Sequence, residues 1–266
     1  MKNFKNFLKT NAKILYPLLT VGIIIIIWQF VAIIIDAEII MPAPLAVAKE
    51  FFACFIEKEF YVSVLLTLLR ALIGFIISYV CAFILAYFSY KNSVIKNVFY
   101  PITVIARGVP TMSIILIFLY MFSENISTVL IALIVVFPLS YSEILSHFTS
   151  LDGGVLTALK VYGVSNKKAF KEYVLPEITE KSFFSGVNML AFSVKLTISA
   201  EAVLQTPNSL GSLMAGAKIN FITGRLFAYT IIAVLLGVAF ELVAKLVKKS
   251  LNKIRGALCL SLMVLP

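Results

Sequence analysis

Among the ionisable residues within the apolar stretches of this sequence, Arg70, Arg107, Lys195 and Glu201 stand out. Charge in such surroundings is costly, so each is read as a functional residue in need of a partner. Three bases and one acid suit ion pairing or contact with a charged solute better than bond chemistry. Arg70 lies near the end of its stretch and can reach an interface along its own stem. Arg107 sits beside Gly108 and Pro110, where a helix must break, which suits a structural or gating role against a carboxylate or freed carbonyls. Lys195 is mid-stretch, and a basic group facing a cavity there would suit an anionic solute. Glu201 follows Lys195 by six residues, which puts the two on different helix faces. Glu201 is therefore expected to pair across helices, with Arg70 or Arg107.

Other chemistry is sparse. His147 is the single histidine, and Cys54, Cys81 and Cys259 show no paired spacing, so no metal site or cofactor is expected. A Gly-x-Ser-x-Gly elbow is absent, which argues against an intramembrane hydrolase.

The elements that must position these residues follow from composition. The chain has 266 residues, 61% of them hydrophobic and 14% charged, with a mean hydropathy of +1.02. That composition predicts an all-α polytopic membrane protein. A spanning helix needs roughly 20 mostly apolar residues. Six segments qualify: Leu15–Ile35, Leu65–Phe88, Val98–Phe122, Ile126–Leu145, Phe183–Leu204 and Leu226–Leu246. The runs are continuous rather than alternating, which excludes barrel strands. The first has span length and no small-residue cleavage site after it, so it reads as a retained helix rather than a signal.

The net charge of +10 has a topological origin. With the N-terminus inside, sixteen basic residues fall on inner segments, among them Lys2, Lys5, Lys9, Lys13 and the cluster Lys160, Lys167, Lys168, Lys171. Only Lys49, Lys58, Lys218 and Arg225 fall outside. This bias orients the chain with both termini cytoplasmic and makes nucleic acid an unnecessary partner. The boundaries read as a cytoplasmic segment 1–14, a membrane domain 15–249 and a tail 250–266. Within the tail, Gly256–Pro266 is apolar but too short to cross, and no role is assigned to it.

Breaks punctuate the spans. Met41-Pro42-Ala43-Pro44 is extended, because each proline disfavours helix in the residue before it. Leu45–Phe55 then predicts a short helix at the outer interface. Pro101 and Arg107-Gly108-Val109-Pro110 interrupt the third span. Broken backbone at membrane depth belongs where protein or water can satisfy it, which makes this segment a candidate path lining.

The longest polar interruption is the loop 147–182. Asp152 can cap a helix over Val155–Tyr162 whose Val155, Leu156, Leu159 and Tyr162 share one face. Gly163 suits a left-handed helix end. Ser165 caps a second helix, Asn166 to about Val174, with Phe170, Tyr173 and Val174 apolar and three lysines on its edge. Leu175-Pro176 is expected to stop it. Such a hairpin either folds on its own bundle, lies on anionic lipid, or docks a separate cytoplasmic protein.

These residues resemble the permease subunits of binding-protein-dependent ABC importers. Their cytoplasmic loop has the form Glu-Ala-Ala, three residues, Gly, nine residues, Ile, one residue, Leu-Pro. Gly163 and Leu175-Pro176 match that spacing, and Ala158 takes the centre of the triplet. Thr157, Leu159 and Tyr173 depart from it. Met41–Pro44, the run Leu69–Phe75, Arg107-Gly108-Val109-Pro110, and Ala200-Glu201-Ala202 followed by Leu210-Gly211 resemble elements of the nitrate/sulfonate/bicarbonate/taurine-like branch. The resemblance covers roughly residues 15–249. It implies six spans with a cytoplasmic coupling-helix loop, in which Thr157, Ala158, Leu159, Tyr162, Gly163, Phe170, Leu175 and Pro176 meet the ATPase. Arg70, Arg107, Pro110, Lys195 and Glu201 are then candidates for the translocation path or its gate. The implied partners are ABC ATPase subunits, a second permease copy (identical or not), an extracytoplasmic substrate-binding protein, and membrane lipid. The sequence carries no Gly-x-x-x-x-Gly-Lys-Ser/Thr phosphate loop of its own, so it is expected not to be an enzyme. The alternative is an ion-coupled secondary transporter. It would call for internal repeats and acidic relays, and Glu201 is the sole acid well inside a span.

Overall fold

The computed structural model describes residues 2–263, with side chains placed for 16–243, 245 and 246. Among these residues the chain is all helix and turn. Eleven α-helices follow in order: α1 Lys2–Ile35, α2 Pro44–Cys54, α3 Lys58–Lys91, α4 Ser93–Gly108, α5 Thr111–Met121, α6 Glu124–Thr149, α7 Gly153–Val161, α8 Asn166–Ala169, α9 Leu175–Leu204, α10 Leu210–Ile219 and α11 Thr223–Met263. A π-helical turn, Phe170–Val174, joins α8 to α9.

Five stretches are long and apolar enough to span: Tyr16–Ile35, Lys58–Lys91, Glu124–Thr149, Asn166–Leu204 and Thr223–Val243. The pair α4 and α5, bent by 91°, counts as a sixth when taken as one broken span. The bend falls where Val109 turns to extended backbone and Pro110 caps α5. The chain is thus an all-α, polytopic membrane protein.

One expectation is corrected. Leu175-Pro176 does not stop the second loop helix. Pro176 stands in the first turn of α9, directly after the π turn, where its fixed φ suits helix. Helical backbone therefore runs from Asn166 through the π turn to Leu204, so the helix that carries the fifth span starts well before Phe183. Within the loop, Tyr162, the C-cap of α7, is 85% exposed, whereas Leu156 packs inward. At the other end of the chain, α11 carries helical backbone on to Met263. The last three residues of the Gly256–Pro266 segment, and the Cys259 side chain, lie outside the described residues.

Two compact units are distinguishable. One comprises Met1–Tyr61 and Leu213–Ile232. Here Trp28 donates its indole N–H to the Pro42 carbonyl and stacks on Phe227, fixing the extended Pro segment against α1 and α11. Arg225 holds Glu50 at 3.0 Å and Glu57 at 2.8 Å, tying α2 and its exit turn to the start of α11.

The other unit comprises Val62–Ser212 and Ala233–Pro266. Small residues set its helix spacing. A Cβ on Gly74 would come within 2.7 Å of the Ala132 Cβ, so α3 and α6 approach closely. Ser78 donates to the Leu133 carbonyl and Ser193 to the Ala71 carbonyl, stapling α3 to α6 and α9. Apolar clusters in it centre on Tyr141, Ile144 and Phe148, and on Ile115, Ile131 and Leu196.

Candidate functional sites: a helical loop and a buried ion pair

The loop is built by local capping. Asp152 accepts from the Gly154 amide at 2.7 Å and starts α7. The helix ends with Val164 N–H on the Leu159 carbonyl and Gly163 N–H on the Lys160 carbonyl, the paired bonds that require a left-handed residue. Gly163 supplies it at φ +73°. Nothing lies within 4 Å of a Cβ placed there, so backbone conformation, not space, selects glycine. Ser165 then caps α8 through the Lys168 amide.

The hairpin has two sides. Leu156, Phe170 and Tyr173 pack on the Tyr141–Phe148 cluster. Phe170 lies 5.5 Å from the Tyr87 ring, and the Lys91 ammonium sits over both rings. The other side is open: Thr157, Ala158, Val161 (80% exposed) and Tyr162 face outward, flanked by exposed Lys160, Lys167 and Lys168. Leu159 is half-buried between the two sides, and Leu175 and Pro176 are exposed at the start of α9. The Thr157 hydroxyl turns back to the Gly153 carbonyl.

At the far end of α9, Glu201 meets Arg70 at 3.0 Å. Of the two partners expected for this acid, Arg70 is the one it finds. The carboxylate is fully buried and the Arg70 side chain 12% exposed. Burial of a charge requires more than one compensating donor. Thr67 donates to Oε2 at 2.7 Å, and the Gly211 amide approaches the same oxygen at 3.5 Å. Arg70 also donates to Asn125 Oδ1 and to the Pro207 carbonyl. The Leu210 amide donates to Thr67 Oγ1 at 2.9 Å, so the start of α10 hangs on the same network. Ser209 and Ser212 cap that start reciprocally. Gly211 is obligatory: a Cβ would overlap Glu201 Cβ and the Ala202 amide nitrogen.

The other singled-out residues lie apart from this network. Arg107 is exposed, with Nε on the Thr103 carbonyl, and shares a pocket of about 230 Å³ with Lys96, Tyr100 and Ser146. Pro110 is exposed at the bend. Lys195 is exposed, and its stem lies against Gly237, where a Cβ would come within 2.7 Å of Cε. Neither Arg107 nor Lys195 has an acidic partner among the described residues. Thr67, Asn125 and the Arg225–Glu50–Glu57 clamp were not singled out by sequence. Their types are ordinary, and their significance comes from partners 55 to 175 positions away.

Residues 74–253 match the family model described as the binding-protein-dependent transport system inner membrane component. A probable ABC transporter permease protein of Haemophilus influenzae is 25% identical over 227 residues, spanning 84% of this chain and 90% of that protein. With well over half of its length matched, including the whole loop from Asp152 to Pro176, the chain belongs to the family of binding-protein-dependent transport system inner membrane components.

Proposed function

We propose that this chain is the permease subunit of an ABC importer, forming the solute path across the cytoplasmic membrane and moved by a separate ATPase. The loop 147–182 is the joint. Its inner side, Leu156, Phe170 and Tyr173, is anchored in the bundle, while Ala158, Val161 and Tyr162 are free to enter a groove on the ATPase. The observation that carries the reading is this two-sidedness. Apolar side chains stay exposed on a short helix that Gly163 locks at one end and Asp152 at the other. Motion of the ATPase then reaches α9 without a flexible link, because helical backbone runs from Asn166 to Leu204.

The membrane domain is taken as residues 15–249, with both termini cytoplasmic. A second permease subunit, identical or not, completes the path, and an extracytoplasmic binding protein delivers the solute. Arg107, Pro110 and Lys195 are proposed to line or gate the path, and the Arg70–Glu201 pair to brace its outer end. The solute class proposed is nitrate-, sulfonate- or taurine-like, or another small polar organic molecule. Co-expression with the ATPase encoded beside it tests the reading. Wild-type chain is expected to co-purify with the ATPase, and Gly163→Pro to lose it, since proline cannot adopt a positive φ. Absence of the ATPase from wild-type preparations sinks the proposal.

A further inference from the structure

Helix α9 turns outward what α3 hides. Between Asn188 and Leu204 its exposed residues are Asn188, Phe192, Lys195 and Ser199. Steps of four, three and four place them on one line along the helix. All but Phe192 are polar. Helix α3 does the reverse. From Val62 to Ile84 its exposed residues are leucine, isoleucine, valine and Cys81, while Ser63, Thr67 and Ser78 are buried. A face turned to lipid needs the arrangement of α3, and the line on α9 lacks it.

An ammonium on such a line needs water or a counter-charge. Lys195 lies well inside α9, and no acidic side chain pairs with it among the described residues. Its stem is seated. Gly237 of α11 leaves room for it, since a Cβ there would come within 2.7 Å of Cε. The Ser199 hydroxyl donates to the Lys195 carbonyl, which leaves its oxygen free to accept. Phe192 is 38% exposed. An identical copy meeting this line about a two-fold axis would bring a second ammonium and no carboxylate, so contact of that kind raises the demand for an anion.

We infer that Asn188, Phe192, Lys195 and Ser199 form a solute-binding face on the path, and that its ligand is a small organic anion with an apolar body. The carboxylate or sulfonate of such a solute meets the Lys195 ammonium. Its alkyl or aryl part lies on the Phe192 ring, one helical turn away, and the Asn188 amide, a further turn on, takes a polar end. Nitrate has no such body and satisfies only the lysine. A cationic solute is repelled. The inference rests on the function proposed above and narrows its solute class.

Ser199→Cys, in a chain whose native cysteines are replaced, reports on this face from one turn beyond Lys195. The full chain in nanodiscs, with its ATPase wherever the two co-purify, is treated with an anionic ethylsulfonate methanethiosulfonate and with its cationic trimethylammonium counterpart. Each rate is normalised to that of free cysteine. The anionic reagent is expected to react about tenfold faster than the cationic one, and Lys195→Gln to erase the difference. Butanesulfonate is expected to protect the thiol and nitrate at the same concentration to protect it far less, with Phe192→Ala bringing the two to parity. Failure of both reagents to react identifies a lipid-covered face and overturns the inference. So does an absent anionic preference, or one that survives Lys195→Gln. Equal protection by nitrate in the unaltered face overturns the organic anion. Labelling is scored whether or not the ATPase accompanies the chain, so loss of this face and loss of the importer reading are separate results.

Discussion

Glu201 cannot be stripped of its partner cheaply. Its carboxylate is sealed from solvent, and Arg70 is the only cation it pairs with among the described residues. Removing one half of a buried pair strands the other, at a typical cost of about 3–5 kcal/mol, whereas replacing both by apolar residues of similar size is often tolerated. Arg70→Met is therefore expected to lower the thermal midpoint in detergent markedly, and Arg70→Met with Glu201→Met to recover most of the loss. An Arg70→Met protein as stable as wild type would remove the pair from the forces holding α10 in place. Gly211→Ala should be comparably damaging, because its methyl would strike Glu201 Cβ and the backbone of α9. The charged pair was legible in sequence because intramembrane charge is rare. Thr67 and Asn125 were not, since a threonine or an asparagine carries no signal until the fold brings it to a carboxylate or a guanidinium.

At the scale of elements, the loop shows which local signals are unambiguous. Asp152, Gly163 and Ser165 each fit one role, and each fills it. Proline is ambiguous, because it marks both the first turn of a helix and the residue after one. Leu175-Pro176 read as a stop, yet it opens α9. The two positions therefore respond differently to substitution. Pro176→Ala should not lower the thermal midpoint, since alanine keeps the helical φ and regains an N–H for the preceding turn. Gly163→Ala forces a Cβ into the left-handed region, at roughly 1–2 kcal/mol. Its expected readout is faster amide exchange across 153–165, with the rest of the protein unaffected. Equal exchange in wild type and Gly163→Ala would mean that the helix ending is not held by its glycine. The face of α7 was half legible. Periodicity grouped Leu156, Leu159 and Tyr162 on one apolar face, but it could not tell that Leu156 packs inward while Tyr162 stays exposed.

Across the whole molecule, the proposed orientation makes a demand on every loop at once. Lysine-rich segments must be inside, so Tyr162 on the loop and Ile39 ahead of α2 must face opposite compartments. Single cysteines at these two exposed positions distinguish the sides, provided the native thiols are removed first. Cys54 is a poor target even when present, because burial pushes its thiol above the ordinary value and so keeps the reactive thiolate scarce. Cys81 is exposed on α3 and is replaced for that reason. In right-side-out vesicles, a membrane-impermeant maleimide is expected to label Ile39→Cys and spare Tyr162→Cys. In inverted vesicles the pattern should reverse. Labelling of Tyr162→Cys from the outside of sealed vesicles would turn the molecule over. It would then separate the loop from any cytoplasmic ATPase, so the measurement bears directly on the proposed coupling. The span count alone cannot stand in for it, because an even number of spans places the termini together without saying on which side. That choice rests on charge, and charge acts through the lysines of the loops.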